Sequence, residues 1–241
     1  KMKFMRIVLI GYGKMGKEIE RLAVERGHQI VSRIDVDNQA ELGQLSKQDV
    51  DVAIEFSNPA SAFANIMTCI EKQIPVVCGT TGWLEQKAQV EAATAKYQST
   101  FFYASNYSIG VNLFFKMNKT LAALMAGHPD YDIYTNEIHH LEKKDSPSGT
   151  AITIAEGIIE AYASKTKWVN NEIPSANEVA IWSQRESIIP GTHTVKYISK
   201  VDQIEMTHEA FSLEGFALGA VIAAEWVKDK KGVLGMEDLL K

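Results

Sequence analysis

Nine consecutive residues, Glu137 to Asp145, carry two imidazoles, two ammonium groups and three carboxylates, and the run then closes on Pro147-Ser-Gly-Thr150. Groups of these types can pass a proton near neutral pH, hold a carboxylate or ligate a metal. Tyr131 to Ile138 alternates and is rich in β-branched and aromatic residues, which predicts a strand. Ala151 to Tyr162 has apolar residues at helical spacing, which predicts a helix. Ser146, Pro147 and Ser148 are start signals, because serine caps and proline tolerates the first helical position. A strand end bearing proton donors thus runs into a helix N-terminus. Gly149 has no side chain to block approach, so an anion can rest on the N–H groups of Gly149 and Thr150. No metal is expected: His139 and His140 are strand neighbours that point to opposite faces, and no third ligand stands at a zinc spacing. The plain alternative is a polar loop with a capped helix and two solvated histidines, and this stretch alone does not decide between the two.

The elements that must position this stretch begin at the chain start. Phe4 to Ile10 reads as a buried strand, followed by Gly11-Tyr12-Gly13-Lys14-Met15-Gly16, a helix from Lys17 to Arg26, and a second strand, Gln29 to Asp35, ending in an acid. This is the order of a dinucleotide fold: the glycines make the tight turn and admit a pyrophosphate onto the helix N-terminus. Asp35, nineteen positions after Gly16, can accept hydrogen bonds from ribose hydroxyls. Strands at 51–56, 75–78 and 100–104 alternate with helices at 59–72 and 84–97, predicting a doubly wound parallel sheet of Rossmann type. Ligands bind beyond the carboxyl ends of such strands, here at Glu55-Phe-Ser-Asn-Pro59, Gly79-Thr-Thr-Gly82 and Ala104-Ser-Asn-Tyr107.

From 109 to 125 an amphipathic helix leads into a second domain. There a loop is expected near 169–177, and runs at 179–183, 193–199 and 203–210 read as strands. Strands in succession suggest antiparallel pairing and an α+β domain carrying an open mixed sheet. His193 and His208, on these strands, read as structural or interface histidines. A last long helix, 214–228, and a short closing segment, 236–240, complete the chain.

Composition bounds the function. The 241 residues, 46% apolar and 23% charged, fit one large domain or two modest ones. A net charge of −5 argues against nucleic acid as partner. No apolar run is long enough to span a bilayer. The apolar run after the basic N-terminus is short and ends in the glycine turn, so it reads as a strand and not as a signal peptide. Cys69 and Cys78 imply no disulfide framework, which fits a cytoplasmic setting.

The pattern Glu137-x-His139-His140-x-x-Lys143-x-Asp145-x-Pro147-Ser148-Gly149-Thr150-Ala151 resembles the signature of the dihydrodipicolinate reductase family at all ten fixed positions. The resemblance implies reduction of a small cyclic dicarboxylate to tetrahydrodipicolinate by NADH or NADPH in lysine and diaminopimelate biosynthesis. His139 is then the proton donor, and Lys143 stabilises developing charge and binds a carboxylate with His140, Ser148, Gly149 and Thr150. The family's cofactor contacts imply Phe56, Gly79, Thr80, Thr81, Ala104, Ser105, Asn106 and Tyr107, in addition to the glycine turn. It also implies a domain of residues 1–107 and 214–241, a substrate and oligomerisation domain of 108–213, and a homotetramer.

Two departures stand out. Many family members have one more residue in the glycine turn and an arginine after the ribose acid; here Val36 follows Asp35, and Lys14 and Arg33 are the cations nearby, which leans slightly to NADH. The family often has Ser-Arg before the last helix, where this chain has Ser212-Leu213. The rivals are another two-domain NAD-dependent dehydrogenase, whose semialdehyde form needs a nucleophilic cysteine, and a redox-sensing nucleotide-binding regulator.

Overall fold

The structure is a computed structural model that describes residues 4–241; residues 1–3, with which the expected first domain begins, lie outside them. In chain order the first half runs β1 (Arg6–Ile10), α1 (Lys14–Glu25), β2 (Gln29–Ile34), β3 (Val52–Glu55), α2 (Pro59–Glu71), β4 (Val76–Cys78), α3 (Lys87–Lys96) and β5 (Thr100–Tyr103). The second half runs α4 (Ile109–Met125), β6 (Asp132–His139), α5 (Gly149–Ala161), β7 (Lys167–Asn170), β8 (Glu178–Arg185), β9 (Gly191–Ile198), β10 (Gln203–Ala210), α6 (Glu214–Val227), β11 (Gly232–Leu234) and α7 (Met236–Leu239). The chain divides into two compact units, one reaching to Ile109 and resuming at Glu214–Lys241, the other Gly110–Leu213.

The first unit is a six-stranded parallel sheet in the order β11-β5-β4-β3-β1-β2. Both faces are covered because successive residues of a strand point oppositely. Ile7 and Leu9 of β1 pack with Ile19 and Leu22 of α1 and with the alanine-rich α6, while Val8 and Ile10 pack with Ile66 and Ile70 of α2 and Val90 of α3. The order reverses between β1 and β3, which opens a crevice at their carboxyl ends. β11 escapes sequence reading because three residues show no periodicity; it exists by pairing with the edge of β5. The helix after the glycine turn starts at Lys14 and not at Lys17, so Gly16 is helical and lies against the carbonyl of Gly11.

The second unit carries a five-stranded mixed sheet, β10-β9-β6-β8-β7, with α4 and α5 packed on Val179, Ile181, Val195 and Tyr197. The successive strands β9 and β10 pair antiparallel as expected, but β8 and β9 are not neighbours, which corrects that expectation for the first pair. β6 lies between them, antiparallel to β9 and parallel to β8. The segment expected to be a loop from 169 begins as the edge strand β7, parallel to β8. No helix among the described residues is long and apolar enough to cross a membrane.

Candidate active site

Strand β6 is central in its sheet, so its last residues receive side chains from both neighbours. Glu137 and His139 are two apart and share a face. Glu137 lies opposite His193 of β9 and Ser183 of β8, and His139 lies opposite Arg185. The helix start completes the ring: Ser148 caps α5 by accepting the Ala151 N–H at 3.2 Å, and its own N–H donates to Glu137 Oε1 at 3.0 Å.

Glu137 is the centre of this cluster and is fully buried. Its Oε2 is 3.2 Å from His139 Nδ1 and 3.8 Å from His193 Nε2, and the Arg185 guanidinium is 3.4 Å from Oε1. The contact with His139 is an ion-pair distance without hydrogen-bond alignment. Burial opposes ionisation of Glu137, but His139, Ser148 and Ser183 outweigh it and hold the carboxyl well below the usual range. A fixed negative charge therefore faces Nδ1 of His139. The imidazoles of His139 and His193 meet edge to face at 5.1 Å. Gly191 makes room for His139, since a β-carbon there would stand 3.0 Å from Nε2.

Sequence reading missed His193, Gly191 and Arg185, and it assigned His193 a structural or interface role. Arg185 was overlooked because the strand was ended at Ser183; its guanidinium also donates to the Asp145 carbonyl at 2.6 Å and so ties the signature loop to β8. The Gly191-Thr-His193 spacing at a strand start was the available signal for the other two.

Burial, and then the neighbouring His139, push the His193 imidazole down to about 3. The unfolded chain binds a proton on this group below about pH 6.5 that the native state refuses, so its stability contribution is full above pH 6.5 and is lost as pH falls toward 3. Glu137 acts in the same direction, but only below its unfolded value near 4.5. Urea unfolding at pH 6.5 and 4.5 is expected to show a loss of up to roughly 3 kcal/mol for the parent and a smaller one for His193→Gln. Equal losses in the two proteins would show that His193 carries no such linkage.

The expected substrate ligands fare unequally. Lys143 Nζ pairs with Asp145 Oδ1 at 2.8 Å, and with side-chain exposures of 23% and 57% the lysine is the better sheltered partner. His140 is half-buried, and its carbonyl accepts the Lys143 N–H at 3.1 Å, closing the turn. The Ser148 N–H donates to Glu137, and its Oγ accepts the cap hydrogen bond and lies 3.2 Å from His193 Nε2, so Ser148 helps to frame the cluster. Gly149 is exposed, and a β-carbon built there meets nothing within 4 Å. Glu137, His139 and His193 each present a ligand atom within 4.8 Å of the others, a metal-capable grouping that the expectation of no third ligand did not foresee.

In the first unit the three glycines answer to three different demands. Gly11 has φ +91° and lies so close to the Phe56 carbonyl that a β-carbon would stand 2.0 Å from it. Gly16 is pressed on Gly11, whereas Gly13 faces open space. Gly13 caps α1 without a side-chain hydrogen bond, and no acid occupies the first turn. These residues therefore fit a dinucleotide: an open backbone approach ends on a helix N-terminus that attracts a pyrophosphate. A cleft of about 310 Å³ lined by Gly11, Asp35, Gln39, Ser57 and Ser61 continues from this turn. Tyr12 is half-buried, while Lys14 is exposed and Met15 packs against the core.

The other expected cofactor contacts divide between surface and scaffold. Thr81 and Ser105 are exposed, and Asn106 accepts the Ser108 N–H at 2.9 Å just ahead of α4. Phe56 lies against Gly79, whose β-carbon position is 2.2 Å from the ring, and Thr80 Oγ1 accepts the Ser57 N–H at 2.8 Å. Ala104 is buried at the end of β5. Tyr107 is 2% exposed: its side chain packs on Phe56 and Phe102 and donates its hydroxyl to the Cys78 carbonyl at 2.6 Å. It holds the strand ends together and its ring is spent on the core.

The thiols bear on the semialdehyde rival. Burial and then Glu55 push Cys69 up to about 12 and raise Cys78 as well, so neither offers a thiolate near neutral pH. A cysteine acyl-enzyme has no nucleophile here.

Comparison with known proteins agrees with this geometry along the whole chain. Residues 5–107 match the family model described as dihydrodipicolinate reductase, N-terminus, and residues 110–240 the one described as its C-terminus. The 4-hydroxy-tetrahydrodipicolinate reductase of Christiangramia forsetii is 50% identical over 236 residues, 98% of each chain. That of Archaeoglobus fulgidus is 33% identical over 98% of this chain and 100% of its own. A dipicolinate-bound dihydrodipicolinate reductase from Paenisporosarcina sp. TG-14 superposes with TM-score 0.78 at 22% identity, covering 97% of this chain and 98% of that one.

Proposed function

Since the chain belongs to the dihydrodipicolinate reductase family and carries out its NAD(P)-dependent reduction of 4-hydroxy-tetrahydrodipicolinate in lysine biosynthesis, we propose how its residues divide that reaction. The cofactor, when bound, supplies a hydride. His139 supplies the proton for the ring carbon that hydride addition leaves electron-rich. The observation that carries this assignment is the buried, ionised Glu137 set 3.2 Å from His139 Nδ1. Lys143 exchanges its exposed partner Asp145 for a substrate carboxylate, and His140, Gly149 and Thr150 complete the grip. With leucine at 213, Lys143 and the N-terminus of α5 carry the anion binding that an arginine would otherwise share. Testing the assignment needs kcat and cofactor affinity measured separately in a His139 variant.

The cofactor lies on the turn from Gly11 to Gly16 with Asp35 on the adenosine ribose, and the reading favours NADH because a carboxylate accepts from a 2′-hydroxyl and repels a 2′-phosphate. Asp35 is exposed beside the cleft, and its Oδ1 accepts the Val36 N–H at 2.9 Å. Asp35→Ala is expected to weaken NADH about tenfold, the scale of one lost charge-assisted hydrogen bond, while NADPH binding holds or improves. Isothermal titration showing equal losses for both cofactors would place Asp35 outside the pocket.

The reading extends to a homotetramer built through the second unit's sheet, supported by Ile198 and Ile204, exposed side chains on β9 and β10. A cytoplasmic setting is supported by two free, buried cysteines.

A further inference from the structure

The glycine turn has an arginine beside it that is already spoken for. Arg33, two residues before Asp35 on β2, turns its guanidinium over the Tyr12 ring, 5.7 Å from the centroid. Glu20, from the second turn of α1, takes that guanidinium in a fork: Nε donates to Oε2 at 2.8 Å and Nη2 to Oε1. The Tyr12 hydroxyl donates to Oε2 as well, so both carboxylate oxygens are engaged. Glu20 is the better sheltered partner, with side-chain exposure 19% against 43% for Arg33. The Arg33 hydrogen bond, against a smaller opposing effect of burial, holds the Glu20 carboxyl below its usual range, so it stays charged.

A guanidinium matches a phosphate as well as it matches a carboxylate, because both accept two parallel N–H bonds. We infer that Glu20 is a specificity-determining residue: by holding Arg33 it keeps from the adenosine site the cation that would receive a 2′-phosphate, and so it excludes NADPH in favour of NADH. This rests on the placement of the cofactor proposed above and adds a residue that touches neither ribose nor phosphate. A 2′-phosphate would meet the carboxylate of Asp35 and an arginine that Glu20 holds in a fork, with two of its five N–H donors spent there. Lys14, exposed on the turn, has no equivalent fork and offers only a point charge.

The test is cofactor titration of the full-length protein, followed by tryptophan fluorescence or calorimetry and without substrate. Glu20→Gln is expected to tighten NADPH about tenfold, the gain from one charge-assisted pair, with NADH changed less than about twofold. Arg33→Ala alone should leave NADPH nearly unchanged, and in the Glu20→Gln background it should abolish the gain. A gain that survives in the double variant shows that relief of charge repulsion, and not release of Arg33, sets the preference, and it overturns the inference. So does a single Arg33→Ala that weakens NADPH tenfold, since the arginine would then already serve the phosphate. Binding of neither cofactor to the parent protein would instead overturn the cofactor placement itself. Glu20 lies on the surface of α1, and matched melting temperatures confirm that the variants fold.

Discussion

His139→Gln is expected to lower kcat by about 10²–10⁴-fold, the scale of a lost general acid, which corresponds to roughly 3–5 kcal/mol of activation free energy. Glutamine is chosen because it is polar and near the size of histidine, and Glu137 keeps its hydrogen bond from the Ser148 N–H. A glutamine amide cannot deliver a proton. NADH affinity should stay within about twofold, because every proposed cofactor contact lies in the other compact unit. The measurement is a coupled assay on freshly generated pathway substrate, with NADH and NADPH consumption followed separately and cofactor binding titrated alongside. Turnover near that of the parent would remove His139 from the mechanism. Loss of turnover together with loss of NADH binding would point to misfolding instead.

The second large effect is expected at the N-terminus of α5. Gly149→Val places two methyl groups where a substrate carboxylate would meet the N–H groups of the first turn. A β-carbon at 149 meets nothing within 4 Å beyond its own turn of chain, and valine is no poorer a helix former than glycine, so the substitution leaves the fold intact. Charge-assisted hydrogen bonds contribute about 1.5–3 kcal/mol each, so the affinity for pyridine-2,6-dicarboxylate, a planar dianion like the substrate, should fall by about 10–150-fold. NADH binding should survive. Equal inhibitor affinity in the variant and the parent would show that the anion does not sit on this helix start. The committed Ser148 N–H sharpens the prediction, since it leaves the grip to residues after the cap.

What could be read from the sequence was whatever short stretches of chain decide for themselves. The turn at Gly11 is one example, because the need for positive φ there is local and glycine meets it most readily. The start of α5 is another: Ser148 caps and Gly149 opens the helix whatever surrounds them. The alternation of strands and helices up to β5 likewise follows from periodicity, and the parallel sheet follows from the alternation. Ten spaced residues from Glu137 to Ala151 carried the resemblance to the family.

Tertiary structure alone decided which side chains meet. His193 is fifty-six positions from Glu137, and its place beside that carboxylate comes from the antiparallel register of β9 on β6. Arg185 arrives by the parallel register of β8, forty-six positions from His139. A shift of one residue in either pairing would turn these groups to the other face, and no local pattern records that choice. The same holds for β7 and β11, strands too short to announce themselves, which form because neighbouring strands leave them an edge to pair with. It holds for the Tyr107 ring, which packing draws into the core. Glu20 and Arg33 are thirteen positions apart, on a helix and a strand. Their types alone say that they can pair; only the packing of α1 on β2 settles that they do, because the distance between two charges on different elements is fixed by how those elements pack.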